Sequence, residues 1–216
     1  MLIVISIRIM LSKGERMTSK NTVFRLSILV IVSIFMAFTA AATADNILLS
    51  PGFEETPPGE RPTFPPWWEW LDINNERTSS TGGEVTDETC HTGKHSVVRY
   101  VKGKALGCYA NTIEVAAGDI VEGEIWIKTS KDFRGAEAYL RIEFKSEENK
   151  IIQAVESKKI ISPDESWKLY TVETSTVPEK AVTAVFCLFL RGRDKDSTGK
   201  VWFDDAYMRV KIKGLI

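Results

Sequence analysis

Between residues 120 and 191 apolar side chains recur at every second position, a period that buries one face of a chain only when the chain is a β-strand. In "IVEGEIWIK" (120–128) Val121, Gly123, Ile125 and Ile127 share one face, and Glu122, Glu124, Trp126 and Lys128 share the other. "EAYLRIEFK" (137–145) repeats this with Ala138, Leu140, Ile142 and Phe144 inward and Tyr139, Arg141 and Glu143 outward. "AVTAVFCLFLR" (181–191) buries Val182, Ala184, Phe186, Leu188 and Leu190, leaving Val185, Cys187, Phe189 and Arg191 opposite. Further strands read at 67–73, 96–102, 107–114, 151–156, 167–174 and 200–210. Turn-forming segments separate them: "TGG" (81–83), "KGKALG" (102–107), "AAGD" (116–119), "SEEN" (146–149), "SPDES" (162–166) and "GRDKDSTG" (192–199). No helical period or internal repeat appears after residue 45. The expected fold is all-β, an antiparallel β-sandwich of the jelly-roll kind.

The first 44 residues follow a different rule. "LSILVIVSIFMAFTA" (26–40) carries no charge, Arg8, Lys13, Arg16, Lys20 and Arg25 precede it against Glu15 alone, and Ala42-Thr43-Ala44 ends it. This is the layout of a secretory signal cleaved before Asp45, with Met17 as a possible true start. The other reading is an uncleaved membrane anchor, although ~20 apolar residues are needed to span a bilayer and this run is shorter. Cleavage implies a secreted or periplasmic domain, 45–216, with no membrane segment. The whole chain has 28 basic and 29 acidic residues; without the leader's five basic and one acidic residue, 23 face 28, a net charge of −5. Such an acidic domain is unsuited to nucleic acid, which calls for a basic surface.

Two acidic segments near the ends of this domain invite a cation. "SPGFEE" (50–55) places Phe53 between a flexible turn and Glu54, and Glu55 follows. In "VWFDDAYMRV" (201–210) alternation puts Trp202, Asp204, Ala206 and Met208 on one face, so Asp204 shares an apolar setting. A carboxylate there is costly to bury unless it is paired or binds a cation. If the first and last strands are neighbours, Glu54 and Asp204 converge with turn carbonyls, an oxygen-only set suited to calcium. The alternative is that both acids are superficial or pair with Lys and Arg. His91 and His95, beside Cys90, are four apart across a turn and lack a fourth ligand, which disfavours zinc.

"NILLSPGFEE", "CHTGKHSVVRY", "IVEGEIWIKTS", "SWKLYTVETSTVP" and "KVWFDDAYM" occur in this order. The series resembles the calcium-bearing carbohydrate-binding modules of families 4, 9, 16 and 22, galactose-binding-like β-sandwiches, over nearly all of 46–210. The resemblance implies a non-catalytic module that binds a poly- or oligosaccharide and carries one structural calcium near the chain ends. By position it implies calcium ligands at the Gly52 carbonyl, the Glu54 carboxylate, the Lys94 carbonyl and Asp204. A structural or adhesive sandwich that contacts protein and has lost sugar binding is the competing expectation.

Aromatic residues mark the expected binding surface. In "PPWWEWLD" (65–72) Trp68 and Trp70 share one face, read as core, and Trp67 shares the other with Glu69, read as exposed. Trp126, among charged neighbours, is the second exposed candidate, with Tyr139 and Arg141 expected on the matching face of the next strand. An aromatic ring stacks on a sugar's C–H face while charged groups take its hydroxyls. Alternatively, Trp126 covers a second apolar layer or a loop. Paired carboxylates for glycoside hydrolysis must face each other ~5–9.5 Å apart; Asp204 and Asp205 point to opposite faces, and no nucleophile elbow or phosphate loop is present. Three cysteines allow one bridge at most, and Cys90–Cys108 is the preferred pairing over a fully reduced set.

Overall fold

The computed structural model describes residues 46–62, 67–73 and 80–213; the leader at 1–44 lies outside them. Ten antiparallel strands form two five-stranded sheets, and the described residues include no helix. The first sheet runs β1 (Trp67–Ile73), β4 (Ala105–Glu114), β9 (Thr183–Gly192), β6 (Ala136–Lys145), β7 (Ile151–Glu156). The second runs β2 (Ser80–Thr86), β3 (Ser96–Lys102), β10 (Thr198–Lys211), β5 (Ile120–Thr129), β8 (Lys168–Thr176). The protein is an antiparallel β-sandwich of the jelly-roll type.

The core lies between the sheets, where the inward sets of β5, β6 and β9 meet as alternation requires. Ile125 and Ile127 face Leu140, Ile142, Phe144, Phe186, Leu188 and Leu190, all fully buried. Phe53, at φ +59°, turns its ring into this core. The segment after Asn46 runs along β10: Ile47 N–H donates to the Met208 carbonyl (2.9 Å), and Ala206 N–H to that of Pro51 (3.0 Å). The first and last stretches of the domain are therefore neighbours.

Four expectations about elements need correction. "TGG" is the centre of a strand, β2, and not a turn. Its glycines admit close neighbours: a Cβ on Gly82 would meet the Tyr100 phenol, and one on Gly83 would overlap the Val98 carbonyl. Strict alternation also fails in β10, where Asp205 and Ala206 stand opposite the single residue Ile125 of β5, one extra residue between Asp204 and Tyr207, with Asp205 at φ +47°. This bulge reverses the parity, so Phe203 before it and Ala206 and Met208 after it all enter the core. β5 and β6, consecutive in the chain, belong to different sheets. Trp126 therefore does not share a face with Tyr139 and Arg141.

The fourth correction concerns β1. Trp67 is 2% exposed, with its ring 5.1 Å from Phe53 and edge-on to Phe186 at 6.2 Å. Trp68 and Trp70 are 38% and 43% exposed. The Trp67 face is the core face even though Glu69 shares it, because Arg99 reaches Glu69 from the other sheet. The guanidinium is fully buried, 3.1 Å from the Glu69 carboxylate and 4.5 Å from the Tyr109 ring centroid. An inward charge with an inward partner makes a core face look polar in the sequence.

Candidate functional site

The outer face of the first sheet forms a groove of about 410 Å³. Strand register builds it in rows. One row crosses four strands as Trp70, Cys108, Phe189 and Tyr139; the next runs Trp68, Ala110, Cys187, Arg141 and Glu156. At ~4.8 Å between strands, Trp70 and Tyr139 stand roughly 14 Å apart across the groove. Phe189 and Tyr139, both buried, stack at 5.3 Å and 9° and make an aromatic floor. Trp68 and Trp70 rise on one side as an exposed wall, and Trp68 is held by its indole N–H donating to Thr112 Oγ1 (3.2 Å).

Charged groups stand over this floor. Arg141 lies 5.5 Å from the Phe189 ring centroid, Lys159 4.6 Å from that of Tyr139, and Lys145 6.0 Å from that of Trp68. Glu143 accepts the Arg141 and Lys145 charges at 3.0 and 3.4 Å, and Glu156 pairs with Arg141 at 3.2 Å. Burial, with Glu156 and Glu137 adding, pushes the Tyr139 phenol up to about 12, so it stays a neutral hydroxyl. Cys108 and Cys187 lie in the floor as free thiols, and burial raises Cys187. Cys90 is free as well, with its thiol donating to the Gly93 carbonyl (3.5 Å) in the loop before β3. The Cys90–Cys108 bridge is absent.

The groove thus unites Tyr139 and Arg141 with Trp68 and Trp70, which the sequence reading assigned to the core. It excludes the other two candidates. Trp67 is in the core, and Trp126, on the second sheet, has its ring face taken by His91 (3.7 Å, 14°), with Trp167 edge-on to that histidine at 6.0 Å. The signal that could have found the wall is the parity of β1, once Glu69 is allowed to face a buried arginine.

The carboxylates expected to hold calcium converge on one turn. Glu54 Oε1 accepts the N–H groups of Lys94 (2.8 Å) and His95 (3.0 Å), which holds its carboxyl below the usual range. Gly93, at φ +65°, leaves room for that carboxylate, which a Cβ would overlap. Asp204 Oδ2 accepts the N–H groups of His91 (2.7 Å) and Thr92 (3.2 Å). Asp205 accepts the Thr92 hydroxyl (2.7 Å) and pairs with His91 Nδ1 at 2.7 Å. Asp204 is fully buried, and that burial, reinforced by Asp205, pushes its carboxyl up to about 6. A hard cation would relieve this strain, and an oxygen-rich set fits calcium. Among the described residues no three His, Cys, Asp or Glu side chains can hold a metal by themselves. Calcium would therefore combine Glu54 and Asp204 with carbonyls such as those of Gly52 and Lys94.

No family model matches the sequence, and no curated protein matches it. Solved structures do. A family 61 carbohydrate-binding module in complex with β-1,4-galactotriose superposes with a TM-score of 0.51 at 19% identity, over 77% of this chain and 99% of that one. The xylan-binding CBM22-1 domain of Paenibacillus barcinonensis Xyn10C gives 0.50 at 17%, over 79% and 98%. The fold is that of carbohydrate-binding modules. A cyclase from Fischerella sp. TAU, in complex with 4-(1H-indol-3-yl)butan-2-one, shares it at 0.51 and 14% identity, over 78% and 98%. The match to the enzymatically active domain of bacteriophage CBA120 tailspike protein 4 (0.56, 12% identity) covers 76% of this chain but only 21% of the tailspike chain.

Proposed function

We propose that residues 45–216 are an exported, non-catalytic domain that holds a poly- or oligosaccharide in the groove of the first sheet. Trp68 and Trp70 supply the stacking wall, and Tyr139 and Arg141 supply the polar contacts. The observation that carries this reading is the pair of large aromatic rings left exposed beside an aromatic floor ringed by charged donors. Rings kept out of the core in this way offer apolar faces to a ligand that is itself half apolar. The galactotriose and xylan named for two structural neighbours are ligands of the same class. Among the described residues Glu143 is the one carboxylate in the groove lining, and Arg141 and Lys145 hold it, which favours retention of a sugar over its hydrolysis. Calcium at the Glu54–Asp204 turn is structural in this proposal and lies on the other sheet from the ligand.

A glycan array probed with the mature protein tests the reading. Trp70→Ala should weaken the leading ligand roughly five- to a hundredfold, from about 1–3 kcal/mol of lost ring contact. An array without a single bound glycan, or tight binding of indole compounds in place of sugars, sinks the proposal.

A further inference from the structure

We infer that the saccharide taken by this groove is acidic, bearing carboxylates as in uronic acid units or sulfate esters; this rests on the groove's being the sugar site. Among the described residues the polar lining holds three cations, Arg141, Lys145 and Arg191, against one anion, Glu143. Among the described lining residues no Ser, Thr, Asn or Gln side chain takes part, so beside the Tyr139 hydroxyl, the two thiols and the tryptophan indoles the polar side-chain contacts open to a ligand are ionic. The bias runs against the domain as a whole, in which acids outnumber bases by 28 to 23 after the leader is removed.

The arrangement in depth gives the groove its sign. The side chains of Glu143 and Glu137 are only 9% and 10% exposed, while that of Arg191, paired to Glu137 at 3.5 Å, is 52% exposed. Lys159 also reaches over Glu137, at 3.7 Å. Glu143 and Glu137 are recessed, whereas Arg191 and Lys159 (36% exposed) stand outermost over the aromatic row and present positive charge there; Arg141 and Lys145 lie lower, at 24% and 13%. Glu156, on β7, stands at the flank and outside the lining.

Spacing fits a chain of repeated anions. Arg191 and Arg141 lie on outward positions that flank the Phe189–Tyr139 row, one to each side, and Lys145 lies farther along β6. Two residues along a strand cover ~6.8 Å, so a ring placed on the aromatic row has a cation within reach on either hand. Guanidinium groups match carboxylate and sulfate oxygens through paired N–H donors. A neutral sugar offers these cations only hydroxyl acceptors, which offset their desolvation less than an anion does.

Calorimetric titration of the mature protein decides the matter with four probes: trigalacturonate, its carboxyl-reduced neutral counterpart, a sulfated galactan oligosaccharide and xylotetraose. The acidic probes should bind at least tenfold more tightly than the neutral pair, and their affinity should fall as salt rises. A carboxylate source and a sulfate source are told apart by which acidic probe binds more tightly. Arg191→Gln, at an exposed position that keeps the fold, should lose at least fivefold for the acidic probe and leave the neutral probes unmoved. Lys200→Gln, on the other sheet, should change nothing. Neutral probes bound as tightly as acidic ones overturn this inference and leave the sugar-binding reading standing, whereas no binding of any saccharide overturns both.

Discussion

Replacing Trp67 and Trp70 separately by alanine tests which face of β1 looks inward, and with it the position of the groove wall. Trp67 is 2% exposed, packs on Phe53 and Phe186, and donates its indole N–H to the Ser50 carbonyl at 3.1 Å. Truncating a core aromatic costs about 3–5 kcal/mol. The lost hydrogen bond adds about 1 kcal/mol. In a domain of this size 1 kcal/mol moves the melting temperature by about 2–4 °C, so Trp67→Ala should melt roughly 8–24 °C lower. Trp70 is 43% exposed and its ring leans on the groove, so Trp70→Ala should stay within about 1 kcal/mol of the parent. Thermal unfolding followed by far-UV circular dichroism gives both midpoints, and Trp67→Phe, which keeps a ring but loses the N–H, should fall between parent and Trp67→Ala. If Trp70→Ala proves the more damaging change, the two faces of β1 are reversed and the groove loses its wall.

Glu69→Leu should destabilise the domain by about 3–5 kcal/mol, because it leaves the buried Arg99 charge uncompensated; Glu69→Leu with Arg99→Met should recover much of that loss in urea unfolding, and no recovery would count against the ion pair as the cause. Lys211 and Arg209 hold the Glu122 carboxyl below its ordinary range, so its contribution to stability is complete above about pH 4.3 and is lost as pH falls through the lower folded value. Glu122→Gln should therefore flatten the acid limb of a stability–pH curve, and an unchanged limb would falsify the assignment. Chelation should lower the melting temperature, since a cation at a hundredfold excess over Kd adds about 2.7 kcal/mol; Asp204→Asn should abolish that sensitivity, and identical melting of the parent in calcium and in chelator rules the site out.

The candidate site was legible only in part. Tyr139 and Arg141 stand out because β6 alternates without interruption, so their outward direction follows from period alone. Trp68 and Trp70 were hidden by Glu69, whose inward direction depends on an arginine thirty residues later and on the opposite sheet. Trp126 was misleading for the converse reason: its charged strand neighbours are visible in the sequence, whereas the His91 ring that covers it arrives on a loop from elsewhere. The convergence of Glu54 and Asp204 on one turn followed from their places beside the chain-end strands, and the pairing of residues 46–51 with β10 brings it about.

Local chemistry therefore determined the strand class, most strand positions and the inward sets of β5, β6 and β9, because a period of two leaves one way to bury the apolar half of each strand. It missed β2, since a strand centred on Gly82 and Gly83 has almost no side chains with which to display a period; Tyr100 and the Val98 carbonyl fill the space instead. Which strands share a sheet was decided by long-range pairing, which no local pattern encodes. The crossing between β5 and β6 sent Trp126 to one side of the sandwich and Tyr139 with Arg141 to the other. The bulge at Asp205 likewise turned Ala206 and Met208 into the core and left Asp204 facing the turn at 91–95, because an inserted residue reverses parity wherever it falls.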